Sequence, residues 1–357
     1  MIDAGKIRLY AAFANSNNNG VSDVVGLRVM LRRALIMRRS EEYRMNIRSL
    51  TTGLIYGATL LVILTHGAKA ASLSIERNGK YAIDDSRRVP KWSEYGIITV
   101  GKGYSPTVLI FVLDEDGNER RRSVLPITGA AKVSVLDYSL ASDGSVALCG
   151  SAGDSGGRVT TFLAIMDAGG ADARIVATSP YWPQRVVFAS DGTVWVSGYV
   201  HGKPADSNVF RHFDRHGELL GELMPQENFT SAVDVQLGAT LLTSNAGRIG
   251  WLNSDSLQYI EFTDDGKLSR IHPPAAPGSL ARQVTGAALD SDGRLLISTL
   301  PVPRKYPNDF CLYSLPAGAA DFTPFGCDKA GTIVLGARGA TFVGRQGDSL
   351  IRLVPGN

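Results

Sequence analysis

The chain has 357 residues, 44% hydrophobic and 20% charged, enough for one large domain or two ordinary ones. Its formal charge of +3 is unevenly spread: residues 1–70 hold ten Lys/Arg and four Asp/Glu, leaving 27 basic and 30 acidic residues in the remainder. The basic excess therefore belongs to the leader, and the rest of the chain has no charge argument for nucleic-acid binding.

The first element in chain order is an extension. Residues 1–44 contain a polar breaker run, "NSNNNG" (15–20), and a short basic amphipathic stretch, "LRVMLRRALIMRRSEEYR" (27–44). They read as a non-native or disordered N-terminal extension, with Met45 as the true start. The other reading is a cytoplasmic tail before a signal anchor. "MRRSEE" pairs two arginines, but acids follow them, so it is not a twin-arginine signal.

Residues 45–70 read as a signal peptide. "MNIRS" is a short positive start, "LTTGLIYGATLLVIL" (50–64) is an apolar run, and "AKA" (68–70) offers small residues for cleavage. An apolar run of about fifteen residues spans about 22 Å as a helix, short of the roughly 30 Å hydrocarbon core. Cleavage and export are expected, to a secreted or periplasmic location. Membrane contact is expected only through this segment if it stays uncleaved. No Cys lies near the cleavage site to make a lipoprotein.

Residues 71–357 are repetitive. "LASDGSVALCG" (140–150), "FASDGTVWVSG" (188–198) and "ALDSDGRLLIST" (288–299) share one plan: an apolar stretch, an Asp-Gly turn, and a second apolar stretch ending in small residues. Asp-Gly between β-rich runs signals a hairpin, because Gly supplies positive φ at little cost. A weaker copy, "VDVQLGATLLTS" (233–244), places its turn at Gly238. A second turn series, at Gly117, Gly170, Gly217, Gly266 and Gly318, interleaves with the first.

Both series recur about every 48 residues, which makes two hairpins and four strands per period. That is the signature of a β-propeller. Runs such as "TVWVS" and "RLLIS" are continuously apolar, as expected of strands covered on both faces. The fold class predicted is all-β, a propeller of six four-stranded blades. The units run near 94–127, 133–177, 184–224, 231–271 and 284–325, followed by a C-terminal piece of three strands. "SLSIER" (72–77) is the expected fourth strand of that piece, closing the ring without a free edge.

"VTGAALDSDGRLLIST" (284–299) and "WPQRVVFASDGTVWVSG" (182–198) resemble the repeat of NHL-type and gluconolactonase-like six-bladed propellers. The resemblance covers most of residues 94–357 and implies architecture only. The Asp that commonly ends the second strand of NHL repeats is absent, and Gly150, Gly198 and Ser298 stand near that place.

Three motifs look catalytic and are read as turns. "GDSGG" (153–157) lacks an upstream His base outside the leader, and "GDSL" (347–350) has no His after it. "RHFDRH" (211–216) gathers His212, Asp214 and His216, but His216 falls in the turn. Cys311 and Cys327 flank the last outer hairpin and are a disulfide candidate; Cys149 reads as a packed free thiol.

The candidate binding residues come from the loops after the second strands and before the first strands. They are Asp137, Tyr181, Trp182, Gln184, Arg185, His201, Lys203, Arg248, Arg304 and Tyr306. Aligning the turns places Asp137, Arg185, Ser231 and Gly286 at equivalent inner-strand positions. Cations and aromatics suit a small anionic or sugar-like ligand, or a protein partner. The expected function is therefore exported binding without catalysis, and no cofactor or metal is called for. The alternatives are a metal-dependent lactonase or hydrolase, which needs converging carboxylates, and a lyase using His201 beside Arg185.

Overall fold

The computed structural model describes residues 73–80, 88–101, 105–201, 207–229, 240–274, 282–301, 310–328, 330–347 and 349–355. The extension (1–44) and signal segment (45–70) lie outside these residues. The described chain opens with β1 (Leu73–Lys80). Blade 1 follows with β2 (Lys91–Ser93), β3 (Gly96–Val100), β4 (Thr107–Leu113) and β5 (Glu119–Pro126). Blade 2 has β6 (Lys132–Leu140), β7 (Val146–Gly153), β8 (Val159–Met166) and β9 (Ala173–Ala177). Blade 3 has β10 (Tyr181–Phe188), β11 (Val194–Val200), β12 (Asn208–Phe213) and β13 (Leu219–Pro225).

Blade 4 has β14 (Thr240–Asn245), β15 (Arg248–Asn253), β16 (Tyr259–Thr263) and β17 (Leu268–His272). Blade 5 has β18 (Arg282–Leu289), β19 (Leu295–Pro301), β20 (Phe310–Leu315) and β21 (Thr323–Asp328). Blade 6 has β22 (Thr332–Arg338), β23 (Thr341–Gln346) and β24 (Ser349–Pro355), completed by β1. The structure is a six-bladed β-propeller of four-stranded antiparallel sheets. The ring closes as the sequence predicts, with Leu73 opposite Pro355 and Asn78 opposite Leu350.

The continuous apolar runs now have a physical cause. In β7, Leu148 packs toward blade 1 while Ala147 and Cys149 pack toward blade 3. In β3, Ile98 faces blade 2 and Ile97 faces blade 6. A middle strand thus buries both faces, so period-2 alternation vanishes. Six apolar clusters fill the six gaps between neighbouring blades.

The Asp-Gly turns are more specific than a two-residue hairpin. Gly144, Gly192 and Gly293 have φ of +92°, +83° and +79°. In each turn the glycine N–H donates to the carbonyl three residues back, of Ala141, Ala189 and Asp290. This is a type I turn followed by a left-handed residue, so the aspartate takes an ordinary turn position and glycine alone carries the positive φ.

Blade 4 departs from the sequence reading. Its inner hairpin turns at Ala246–Gly247, with Asn245 opposite Arg248, and not at Gly238. The units of the sequence reading depart from the blades at two places: the unit at 94–127 leaves out β2, and the inner pair of blade 4 turns elsewhere. Ser231 and Gly238 lie outside the described residues.

Candidate functional site

The first strands of the blades, β2, β6, β10, β14, β18 and β22, enclose a central cavity of about 980 Å³. That volume is at the upper end for small-molecule sites. Among the described residues its wall is mixed. Val89, Leu136, Leu241, Ala287 and Leu335 are apolar, and Ser139, Ser142, Thr243, Ser244 and Thr285 bring hydroxyls. Arg88, Lys91, Glu94, Asp137 and Arg185 bring charge.

Position along the inner strands follows from a shared irregularity. The pairing slips by one residue between Val135 and Asp137, between Pro183 and Arg185, between Val284 and Gly286, and between Val334 and Gly336. Blades 2, 3, 5 and 6 thus carry a bulge at the same height, and Asp137, Arg185, Gly286 and Gly336 follow it at equivalent places. Three of these are the residues the turn alignment predicts. The opposing strand must come close there: a Cβ on Gly198 would stand 2.2 Å from the Trp182 carbonyl oxygen.

Asp137 is 6% exposed and fully engaged. Lys91 Nζ lies 2.6 Å from its Oδ1 and 2.8 Å from its Oδ2, and the backbone N–H of Val186 donates to Oδ2 at 3.0 Å. The carboxylate therefore ties blades 1, 2 and 3 together. Arg185 donates from Nε to the Thr240 carbonyl of blade 4, and from Nη1 to the Gln184 carbonyl at 2.8 Å. The ring continues through Ser244, which donates to the Phe188 carbonyl at 2.6 Å, and Asn245, which donates to the Leu289 carbonyl at 2.9 Å. These contacts fix the band Lys91–Asp137–Arg185 without relying on loops.

The other predicted residues separate. Tyr181 is a core residue: it is fully buried, and its hydroxyl donates to the carbonyls of Val209 at 2.7 Å and Val196 at 3.1 Å. Burial pushes that hydroxyl well above the usual tyrosine range, and Arg211, 4.2 Å over the ring, opposes only part of the shift. Gln184 is the buried bulge residue, and Trp182 sits on β10 opposite Tyr199. Neither lines the cavity.

Arg248 corrects the loop assignment. It opens β15 at the tight inner turn of blade 4, not in a loop after a second strand. There it pairs with buried Glu261 at 3.1 Å and approaches Gly293 of blade 5. His201 is exposed just past β11 and does not line the cavity that Arg185 lines, so the pocket required by the lyase alternative is not formed by these two. Lys203, Arg304 and Tyr306 lie outside the described residues.

Among the described residues, the cavity wall runs from the charged band toward the inner hairpin turns at Ser142, Ser190, Ala246 and Ser291. The sequence reading looked to the opposite end. Lys91 is the residue it missed. Lys91 precedes Asp137 by 46 positions and Arg185 follows by 48, so the repeat period, counted backward, points to it.

Two of the catalytic-looking motifs are built around turns, and Asp348 of "GDSL" lies outside the described residues. In "GDSGG", Asp154 Oδ1 accepts the backbone N–H groups of Gly156 and Arg158 between β7 and β8. In "RHFDRH", Asp214 does the same for His216 and Glu218. His212 stacks on Trp195 at 4.2 Å, and burial lowers its pKa against the opposing pull of Asp191 and Asp264. Burial also pushes the Cys149 thiol far above its usual range, which leaves it a poor nucleophile. No group of three or more His, Cys, Asp and Glu converges on a metal position among the described residues. Asp137 and Glu94 are the carboxylates on the described cavity wall, and Asp137 is tied to Lys91.

No protein-family model matches the sequence, and no protein of curated function does. Solved structures with similar folds include a protein of unknown function from Bacteroides thetaiotaomicron VPI-5482. It is 12% identical over 79% of this chain and 76% of that one, with a TM-score of 0.47. The soluble aldose sugar dehydrogenase from Escherichia coli is 13% identical over 80% and 100%, with a TM-score of 0.43. The β-propeller domain of the Trilobed protease from Pyrococcus furiosus is 10% identical over 78% and 93%, with a TM-score of 0.40. Similarity at this level attaches no activity to the chain; the architecture rests on its own sheet order and closing strand pair.

Proposed function

We propose that this chain is an exported propeller that binds a small anionic, sugar-like ligand in its central cavity and performs no chemistry on it. The supporting observation is the composition of one wall: three cations, Arg88, Lys91 and Arg185, share the cavity with two carboxylates and a set of hydroxyls. A cationic excess in a walled cavity attracts an anion, and hydroxyls and backbone groups suit a polyhydroxylated body. Asp137 spends its charge holding Lys91 and the Val186 N–H, which makes it a positioning group for the cations. Export follows from the reading of residues 45–70 as a signal peptide.

The test is a thermal melt of the full chain with a panel of sugar acids and their neutral counterparts. An acid is expected to raise the melting temperature and its neutral counterpart is not. The gain should shrink in high salt, because attraction at a partly open site is screened. Arg185→Gln should weaken binding by about tenfold, the loss of roughly one charged hydrogen bond. Equal responses to acids and neutral sugars, or no response to any acid, would overturn the reading.

A further inference from the structure

Blade 3 differs from its neighbours at one cross-strand pair. Blades 1, 2 and 5 set Ile98 opposite Val112, Ala147 opposite Ile165 and Leu296 opposite Ser314, where blade 3 sets Trp195 opposite His212. The two rings stack, with centroids 4.2 Å apart and planes 7° from parallel. Trp195 is buried in the apolar cluster between blades 3 and 4, and half-buried His212 lies over it.

Hydrogen bonds fix which nitrogen of His212 takes a proton. The Thr193 hydroxyl donates to Asp191 Oδ1 at 2.6 Å, so its oxygen can only accept from His212 Nε2, 2.7 Å away. Nε2 therefore carries hydrogen in the neutral ring, and Nδ1 is the atom that titrates. The charged groups facing the ring are Asp191, on the inner turn of its own blade, and Asp264, on the outer turn of blade 4. Asp265, on that same outer turn, is held by Thr263 and by the charge of Lys267. Arg215, on the outer turn of blade 3, reaches away to Asp143 of blade 2, and β13 sets Gly221 opposite His212.

Asp264 ties this seam to the central cavity. Its Oδ2 accepts the backbone N–H of Ser190 at 3.0 Å and the Ser190 hydroxyl, and its carbonyl accepts the Trp195 indole N–H at 3.0 Å. Ser190 lines the central cavity at the inner turn of blade 3. The other carboxylate oxygen of Asp264, Oδ1, is buried with no hydrogen-bond partner among the described residues, so the clamp is held against a cost. Burial opposes a charge on His212 by more than the two carboxylates favour it. A ring that takes a proton is therefore driven toward water.

We propose that His212 is an acid-sensitive latch on the seam between blades 3 and 4. Protonated at Nδ1, the ring leaves Trp195, Thr193 loses its donor, and the Asp264 clamp on Trp195 and Ser190 gives way, loosening the cavity wall at the inner turn of blade 3. The neutral ring is the form that packs. The stability it lends is present above the ordinary histidine value of 6.5 and is lost as pH falls below it.

The full chain is titrated from about pH 8 to about pH 5, the range in which a histidine changes charge, with tryptophan fluorescence and the urea midpoint followed together. The fluorescence is expected to change in one step with a midpoint below 6.5, and the urea midpoint to fall with it. His212→Phe keeps a ring over Trp195, and His212→Gln keeps a donor for Thr193; neither titrates, and both should remove the step. Amide hydrogen exchange at about pH 5 locates the opening. Residues 186–193 should exchange several-fold faster in the parent than in either variant, while residues 288–295, the matching turn of blade 5, exchange alike in all three. No step in the parent, a step that survives both variants, a midpoint above 6.5, equal exchange at residues 186–193, or equal acceleration at the blade 5 turn would overturn the proposal.

Discussion

Asp137 shows how one side chain serves both fold and site. It is buried on β6, and each of its oxygens is engaged by a cation or an N–H from a neighbouring blade. Asp137→Ala leaves Lys91 and the Val186 N–H without their acceptor. Lys91 is about one-third exposed, so water recovers part of the loss. The expected destabilisation is about 2 kcal/mol, read as a lower urea midpoint, with Asp137→Asn falling between the two because an amide oxygen still accepts from Val186. A midpoint within about 0.5 kcal/mol of the parent would show that the band is not structural. Tyr181 makes the opposite point. An aromatic with a polar tip at a strand start reads from sequence as a ligand contact, yet β10 begins at Tyr181 and the pleat turns the ring inward. The direction of a side chain depends on where the strand begins, to the residue.

At the scale of elements, the last outer hairpin is the clearest case. A turn centred near Gly318 puts Cys311 opposite Pro324–Phe325 if the strands pair without interruption. The structure starts the pairing with Tyr313 opposite Pro324, one residue further along, and a one-residue slip between Leu312 and Tyr313 then moves Cys311 from Gly326 to Cys327, with Cα atoms 4.0 Å apart, and the two are bonded. The same kind of bulge recurs in β5, β13 and β17, next to the outer turns of blades 1, 3 and 4. Opening this bond should cost about 3 kcal/mol for a closed loop of 16 residues. The measurement is the denaturation midpoint with and without reductant, and with Cys311→Ser. A midpoint insensitive to both would mean that the hairpin pairing alone holds β20 and β21.

For the whole molecule, closure is the device on which everything else depends. β1 covers the outer edge of β24 across the register from Leu73–Pro355 to Asn78–Leu350. Deleting residues 73–80 leaves that edge unpaired, a template for another chain. The expected outcome is a lower melting temperature together with a shift to oligomers in size-exclusion chromatography. A monomer with unchanged melting would show that the ring stands without its closing strand.

The sequence by itself determined what is local or periodic. Turn glycines need a left-handed φ wherever the chain folds, so Gly144, Gly192 and Gly293 were legible as corners, and their spacing implied the blade count. Double-sided burial made the middle strands read as continuous apolar runs. Blade 4 was misread because its inner turn, Ala246–Gly247, lacks the aspartate that marks the others, while "QLGAT" nearby imitates it. Tertiary structure alone decided which polar groups share a cavity. Lys91 stands on a three-residue strand too short to be recognised, and it meets Asp137 only because the ring brings neighbouring inner strands side by side. Residues one repeat apart in sequence become contacts only once the blades are wound about a common axis, and no local pattern encodes that winding.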